Sequence, residues 1–211
     1  MSYEKPSVIE SLNDLKTASL ISMLSRLLID ANIIVLIVYR DVFKVSLHRA
    51  FLMFVCKIAF TIIFIGIVLG LIASYAFLVP AYEGLRAFKF NAFNTAYKLI
   101  KSGYLGGFAL LLIGYIFIVT SIILYVAPNA LALGIILVTL AIMLLIIGHV
   151  GLAMGSIRLG DVFSKGKFTI ISILFLLGAL IILITPLAWM LKYITLRKII
   201  SKITSSSSIL S

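Results

Sequence analysis

Apolar residues fall along this chain in runs too long to be one face of a soluble helix. Between Lys57 and Glu83 stand 25 uncharged residues, Ile58 to Tyr82, and between Lys167 and Lys192 stand 24, Phe168 to Leu191. At about 1.5 Å per helical residue, each run crosses a hydrocarbon core of about 30 Å. From Lys101 to Arg158 no Asp, Glu, Lys or Arg occurs for 56 residues. That is too many for one crossing, and the Pro128-Asn129 pair near the middle supplies a turn, so this stretch predicts a hairpin of two spans.

A further window, Ala18 to Tyr39, holds Arg26 and Asp30 near its centre. Central charges cost about 2.5 to 3.5 kcal/mol each on the insertion scale, and Leu, Ile and Val return about 0.3 to 0.6 each. The window contains 12 of these apolar residues, so its insertion balances near zero and depends on packing or on mutual neutralisation of the two charges. The pattern thus predicts an all-α polytopic membrane helical bundle of about five transmembrane helices, near residues 18–39, 58–79, 103–126, 130–154 and 168–191. Amphipathic stretches flank them: Ile9, Leu12, Leu15 and Ser19 ahead of the first span, Leu85 to Ile100 after the second, and Leu196, Ile199, Ile200 and Ile203 at the end. These read as interfacial helices. Residues 1–203 form a single transmembrane bundle domain, with 204–211 a flexible polar tail.

Composition agrees: 63% hydrophobic and 12% charged, with a mean hydropathy of +1.26. A soluble domain is about half apolar and about a quarter charged, so a soluble catalytic domain is excluded. The net charge of +11 comes from 18 Lys and Arg against 7 Asp and Glu. All the basic residues except Arg26 lie outside the apolar runs or at their ends, where lipid headgroups are the expected partners. No connection is long enough for a nucleic-acid reading module, so the expected partners are the lipid bilayer and other membrane subunits or a second copy, and no nucleic acid. Alternating five spans puts 9 Lys and Arg on the N-terminal side against 8 opposite, which does not orient the chain. The Pro128 turn, however, has no basic residue while the connections flanking its hairpin carry four and three. That contrast places the turn outside and the N-terminus in the cytoplasm, in a multi-pass protein of the cell membrane.

Chemistry is sparse. Arg26 and Asp30 form an i, i+4 pair, read either as a relay with Asn32 nearby or as an internal salt bridge that lets the helix insert. His149 is the one ionisable side chain in the long hairpin, a proton site or an interhelical hydrogen-bond donor. Small-residue pairs at Gly66 and Gly70, Gly103 and Gly107, and Gly151 and Gly155 mark helix packing faces. Tyr75, Tyr82, Tyr104, Tyr125, Trp189 and Tyr193 read as interfacial aromatic belts. Cys56 is alone, His48 and Cys56 lack metal-ligand spacing, and no nucleophilic or acid-base constellation is legible. No catalytic, cofactor or metal site is expected. Only one helix supplies charges, so the favoured reading is a non-enzymatic accessory or scaffold subunit of a membrane complex. The alternative is a small oligomeric transporter or proton/ion channel using Arg26 and Asp30, with Asn32 and His149.

The stretch Val79-Pro80-Ala81-Tyr82-Glu83-Gly84-Leu85, followed by Lys101-Ser102-Gly103-Tyr104 and a Leu-rich span, resembles a membrane family catalogued as domain of unknown function 973. So do Ile157-Arg158-Leu159-Gly160-Asp161, the run from Lys165-Gly166 into Ile170 to Pro186, and the early Leu12, Leu15 and Ala18. The chain departs from that pattern at Arg26 and Asp30 and at Asp161 to Ser164. The resemblance implies an archaeal cell membrane and no assigned activity.

Overall fold

A computed structural model of the chain describes residues 7–42, 49–124, 128–163 and 165–207. Every regular element among them is helical: α1 (Val8–Val42), α2 (Arg49–Ile72), α3 (Val79–Phe88), α4 (Phe90–Ile100), α5 (Gly106–Leu124), α6 (Pro128–Phe163), α7 (Lys167–Leu180) and α8 (Thr185–Ser207), with short π and 3-10 turns between some of them. Four stretches are long and apolar enough to cross a membrane: Val8–Val38, Phe54–Phe88, Phe90–Ile122 and Pro128–Phe163. The molecule is a multi-pass helical bundle.

Helix α1 begins at a capping box. The Ser7 hydroxyl accepts from the Glu10 N–H at 3.1 Å, and the Glu10 carboxylate accepts from the Ser7 N–H at 3.3 Å. No Gly or Pro follows before Val42, so the expected interfacial helix and the first span are one continuous rod. Its buried stripe, Leu12, Leu15, Ser19, Ser22, Ser25, Arg26, Ile29 and Asp30, keeps the three- and four-residue spacing of one face, while Leu24, Leu27, Ile37 and Val38 point outward. The apolar face therefore meets lipid and the polar face meets protein.

Helices α2 and α3 are joined through a π turn at Ala73–Leu78, in which the Val79 N–H reaches back five residues to the Ser74 carbonyl. Pro80 is the cause: without an N–H it cannot serve Ala76, and its ring crowds the preceding turn, so the ladder widens there. The single amphipathic helix expected over Leu85 to Ile100 is instead two, because Lys89 leaves helical geometry at φ −141° and ψ 81°. The pair folds inward: Leu85, Phe93 and Ile100 are fully buried and the Tyr82 and Phe93 rings meet edge-on. A second π turn, Lys101–Leu105, carries α4 into α5.

The segment 168–191 does not cross as one rod. Helix α7 has 14 residues, about 21 Å of rise against a core of about 30 Å. At Ile181 the backbone becomes extended, φ −120° and ψ 95°, and α8 restarts at Thr185 beside Pro186. Proline is best accommodated in a first helical turn, where its missing N–H costs no ladder bond, and Pro186 takes that position once the run breaks at Ile181–Ile184. The arms are antiparallel and tightly paired: Phe175 and Trp189 have ring centroids 4.9 Å apart, and the Thr185 hydroxyl donates to the Gly178 carbonyl at 3.2 Å. Thus α7 enters the bundle and α8 leaves it on the same side. Helix α8 runs to Ser207, so the first half of the expected polar tail is helical; residues 208–211 lie outside the described residues. Pro128 is the first residue of α6, where its missing N–H is harmless, and residues 125–127 of the expected turn also lie outside the described residues.

Candidate functional site

The six packing glycines face partners within the chain. A β-carbon on Gly66 would lie 2.7 Å from Ile29, pressing α2 against α1, whereas one on Gly70 would first strike the Phe108 ring of α5 and lie 2.8 Å from the Ser25 hydroxyl, so Gly70 sits where α1, α2 and α5 meet. The Ser25 hydroxyl donates to the Gly66 carbonyl at 2.7 Å, sealing that crossing. Gly103 would place a β-carbon 2.2 Å from the Gly148 nitrogen, a direct backbone contact with α6. Gly107 faces Leu145, Gly151 faces Leu99 and Ile100, and Gly155 makes room for the Tyr82 hydroxyl. These contacts register α6 against the run from α3 to α5.

That register brings polar side chains from separate helices to the middle of the bundle. Arg26 of α1 is 8% exposed and His149 of α6 is 4% exposed. Both line one cavity of about 250 Å³, together with Ile142, Leu145 and Ile146 of α6 and Gly178, Ala179 and Leu180 at the tip of α7. The Arg26 guanidinium carbon lies 5.5 Å from the Phe108 ring centre, a cation–π contact. Its Nε and Nη2 are buried without a hydrogen-bond partner, as is Nε2 of His149. The other imidazole nitrogen, Nδ1, donates to the Leu145 carbonyl at 2.7 Å, since a carbonyl can only accept. The His149 ring is also held by Tyr104 and Phe175, at centroid separations of 5.4 and 6.4 Å. The cavity is thus apolar-walled, with Arg26 and His149 beside it, their unpartnered nitrogens covered from solvent and the buried Tyr104 hydroxyl close to the guanidinium.

The i, i+4 pair expected within α1 is not formed. Among the described residues the ion pair is Arg158 with Asp161, 3.4 Å apart and exposed. Both Asp30 carboxylate oxygens are buried with no hydrogen-bond partner. Spacing allows such a pair, but the guanidinium has turned to the Phe108 ring and the cavity. Asn32 is not drawn in either: its amide donates to the Leu28 carbonyl at 2.8 Å, one turn back on its own helix.

Sequence reasoning missed Lys192, which it placed at a span end where a lysine snorkels. Lys192 is fully buried. Its ammonium donates to the Tyr82 hydroxyl at 3.1 Å and lies 5.2 to 5.4 Å from the ring centres of Tyr82, Phe175 and Trp189. Tyr82, Tyr104 and Trp189 are buried too, so these three are bundle core rather than an interfacial belt, whereas Tyr75 is exposed. The signal available was Gly155: a glycine facing Tyr82 is what admits the phenol, and through it the lysine.

Among the described residues no cluster of His, Cys, Asp or Glu could hold a metal ion. Neither a curated protein nor a solved structure matches the chain. The profile described as protein of unknown function (DUF973) matches residues 8–210, nearly the whole length, and the chain belongs to that family.

Proposed function

We propose that the protein is a small membrane carrier or channel for an anion, and that Arg26 and His149 form its binding site. The observation that carries this reading is the cavity they share beneath the tip of the α7–α8 hairpin. Transporter sites lie where discontinuous helices meet near the midplane, and a desolvated substrate needs polar groups from more than one wall. Here α1 contributes a permanent cation and α6 an imidazole, and the helix that stops short is α7. The accessory-subunit reading rested on charges confined to one helix. Buried Lys192 adds a second helix with a basic side chain inside the bundle.

Orientation follows from the same hairpin. Lys192 is core, so returning Arg197, Lys198 and Lys202 to the side of the N-terminus turns 9 against 8 into 12 against 4. An excess of that size supports a cytoplasmic start of α1 and a cytoplasmic end of α8.

The test is reconstitution. Purified in mild detergent and placed in proteoliposomes, the protein is expected to come out without a stoichiometric partner and to pass an anion current that Arg26→Gln abolishes. A tightly associated partner together with no flux of any anion tried would return the accessory reading.

A further inference from the structure

A second cavity, a groove of about 450 Å³, lies between α2 and α5 and shares no lining residue with the one beside Arg26 and His149. The two helices are antiparallel there: Phe60 meets Tyr115, and further along Gly70 meets Phe108. Its floor is a cluster of rings, with Tyr115 at centroid separations of 6.4 Å from Phe60 and 6.3 Å from Phe64. The Tyr115 hydroxyl donates to the Phe60 carbonyl, so the phenol is already committed and the floor presents rings and aliphatic groups. Phe64 and Ile116 at the rim are 40% and 47% exposed, and the groove opens sideways onto acyl chains. From Lys57 to Phe64 it follows α2 for about 10 Å.

One end of this groove is polar and open. The register that pairs Phe60 with Tyr115 sets Lys57 level with Val119 and Thr120. Lys57 precedes the uncharged run Ile58 to Tyr82, so it stands where hydrocarbon gives way to head groups. It is exposed, and among the described residues its ammonium has no hydrogen-bond or ion-pair partner. An ammonium at that level attracts a lipid phosphate. Thr61 and Thr120 line the groove beside it, also exposed. Thr61 donates to the Lys57 carbonyl at 2.9 Å and Thr120 to the Ile116 carbonyl. With each proton spent on its own helix, both oxygens can only accept, and they call for donors. Beside Lys57 a second ammonium is repelled, so the fitting donor is an uncharged hydroxyl. A choline head group has no such donor, and the donors of ethanolamine carry positive charge.

We infer that this groove binds an anionic phospholipid with a polyol head group, its phosphate on Lys57, its hydroxyls donating to Thr61 and Thr120, and the upper part of one acyl chain on the Phe60–Phe64–Tyr115 floor. The volume lies within the roughly 300 to 1,000 Å³ of pockets that enclose small ligands. The site is separate from the Arg26–His149 cavity, and neither reading requires the other.

The test is photo-labelling of the full chain in phosphatidylcholine nanodiscs by trace lipids that carry a diazirine in the upper half of one acyl chain. Phosphatidylglycerol, phosphatidylmethanol and phosphatidylcholine tracers share that chain and differ in the head group: a polyol phosphate, a methyl phosphate, and a phosphate offset by a quaternary ammonium. Peptides of α2 and α5 that line the groove are mapped by mass spectrometry. Phosphatidylmethanol is expected to label them about fivefold more than phosphatidylcholine, and phosphatidylglycerol about threefold more again, in a saturable phase that unlabelled phosphatidylglycerol removes. Lys57→Gln should erase the first step, and Thr61→Val with Thr120→Val the second. Met143 of α6, 57% exposed and outside the groove, reports ordinary lipid contact and should label alike with all three. Equal labelling of the groove by the three tracers, or a preference no larger than at Met143, overturns the inference, and this comparison on the unmutated protein decides it even where a variant fails to fold. A groove that labels with none of them is covered by a second copy, which overturns it as well. Equal labelling by phosphatidylglycerol and phosphatidylmethanol overturns the polyol assignment. No step measures transport, so the result is independent of the anion reading.

Discussion

Replacing Gly103 by alanine tests how the bundle is registered, because the clash it creates has no soft side. The added methyl carbon would stand 2.2 Å from the Gly148 nitrogen and 2.5 Å from its α-carbon. Ordinary contact begins at 3.4 Å, and both neighbours are backbone, so the π turn and α6 must part by more than an ångström. Forced overpacking costs typically about 1 to 3 kcal/mol; with two helix backbones displaced rather than a side chain, about 3 kcal/mol is expected. Gly106→Ala is the control three residues on. Its methyl would meet only the end of Leu144, at 3.3 Å, and alanine is favoured over glycine in a helix by about 0.8 to 1 kcal/mol. That variant should stay within about 1 kcal/mol of the parent or gain stability. Thermal unfolding in detergent, followed by size-exclusion of the monodisperse fraction, measures both. Equal melting temperatures for the two variants would refute the backbone contact and the register built on it.

Three further outcomes follow from the buried charges. Asp30→Asn should raise the melting temperature, by about 1 kcal/mol of stability or more, because both carboxylate oxygens are buried unpartnered and an amide is cheaper to desolvate; a fall would mean a partner exists. Tyr82→Phe should cost about 3 kcal/mol by leaving the Lys192 ammonium buried without its hydrogen bond, and Lys192→Met added to it should recover most of that loss. Additive losses would show the two side chains to be uncoupled. Arg26→Gln with Asp30→Asn should show a favourable coupling of about 1 kcal/mol, since the guanidinium attracts the buried carboxylate without a direct ion pair, whereas a value of about 3 kcal/mol or more would restore the salt bridge expected from their spacing.

Helical content and membrane insertion were legible because long apolar runs have one physical outcome in lipid. The site was harder to see, for two reasons. First, apolar-run length does not distinguish a crossing from a hairpin, and the break at Ile181–Ile184 was signalled only by Pro186, which can also sit in a kinked span. Counting basic residues with five alternating spans then split the charge almost evenly. Second, a side chain's partner is decided by where other helices fall. Arg26 and Asp30 have pairing distance along α1, but Phe108 and the cavity lie on the guanidinium's side once α5 and α6 are in register. One signal was present and unread: Ser11, Ser19, Ser22 and Ser25 recur with Arg26 and Asp30 along one stripe of α1. A polar stripe in an otherwise apolar helix marks its protein-facing side.

The hairpin is what closes the cavity over Arg26 and His149, so the side on which α8 emerges tests the whole account. In a Cys56→Ser background, single cysteines at Asn129, the second residue of α6, and Ser205, in the last turn of α8, are exposed to a membrane-impermeant maleimide in sealed vesicles. With α7 and α8 entering and leaving by one face, the two positions label from opposite sides, Ser205 on the side of the N-terminus. Labelling of both from the same side would mean that residues 168–191 cross the membrane as a single span, and the site would have no roof.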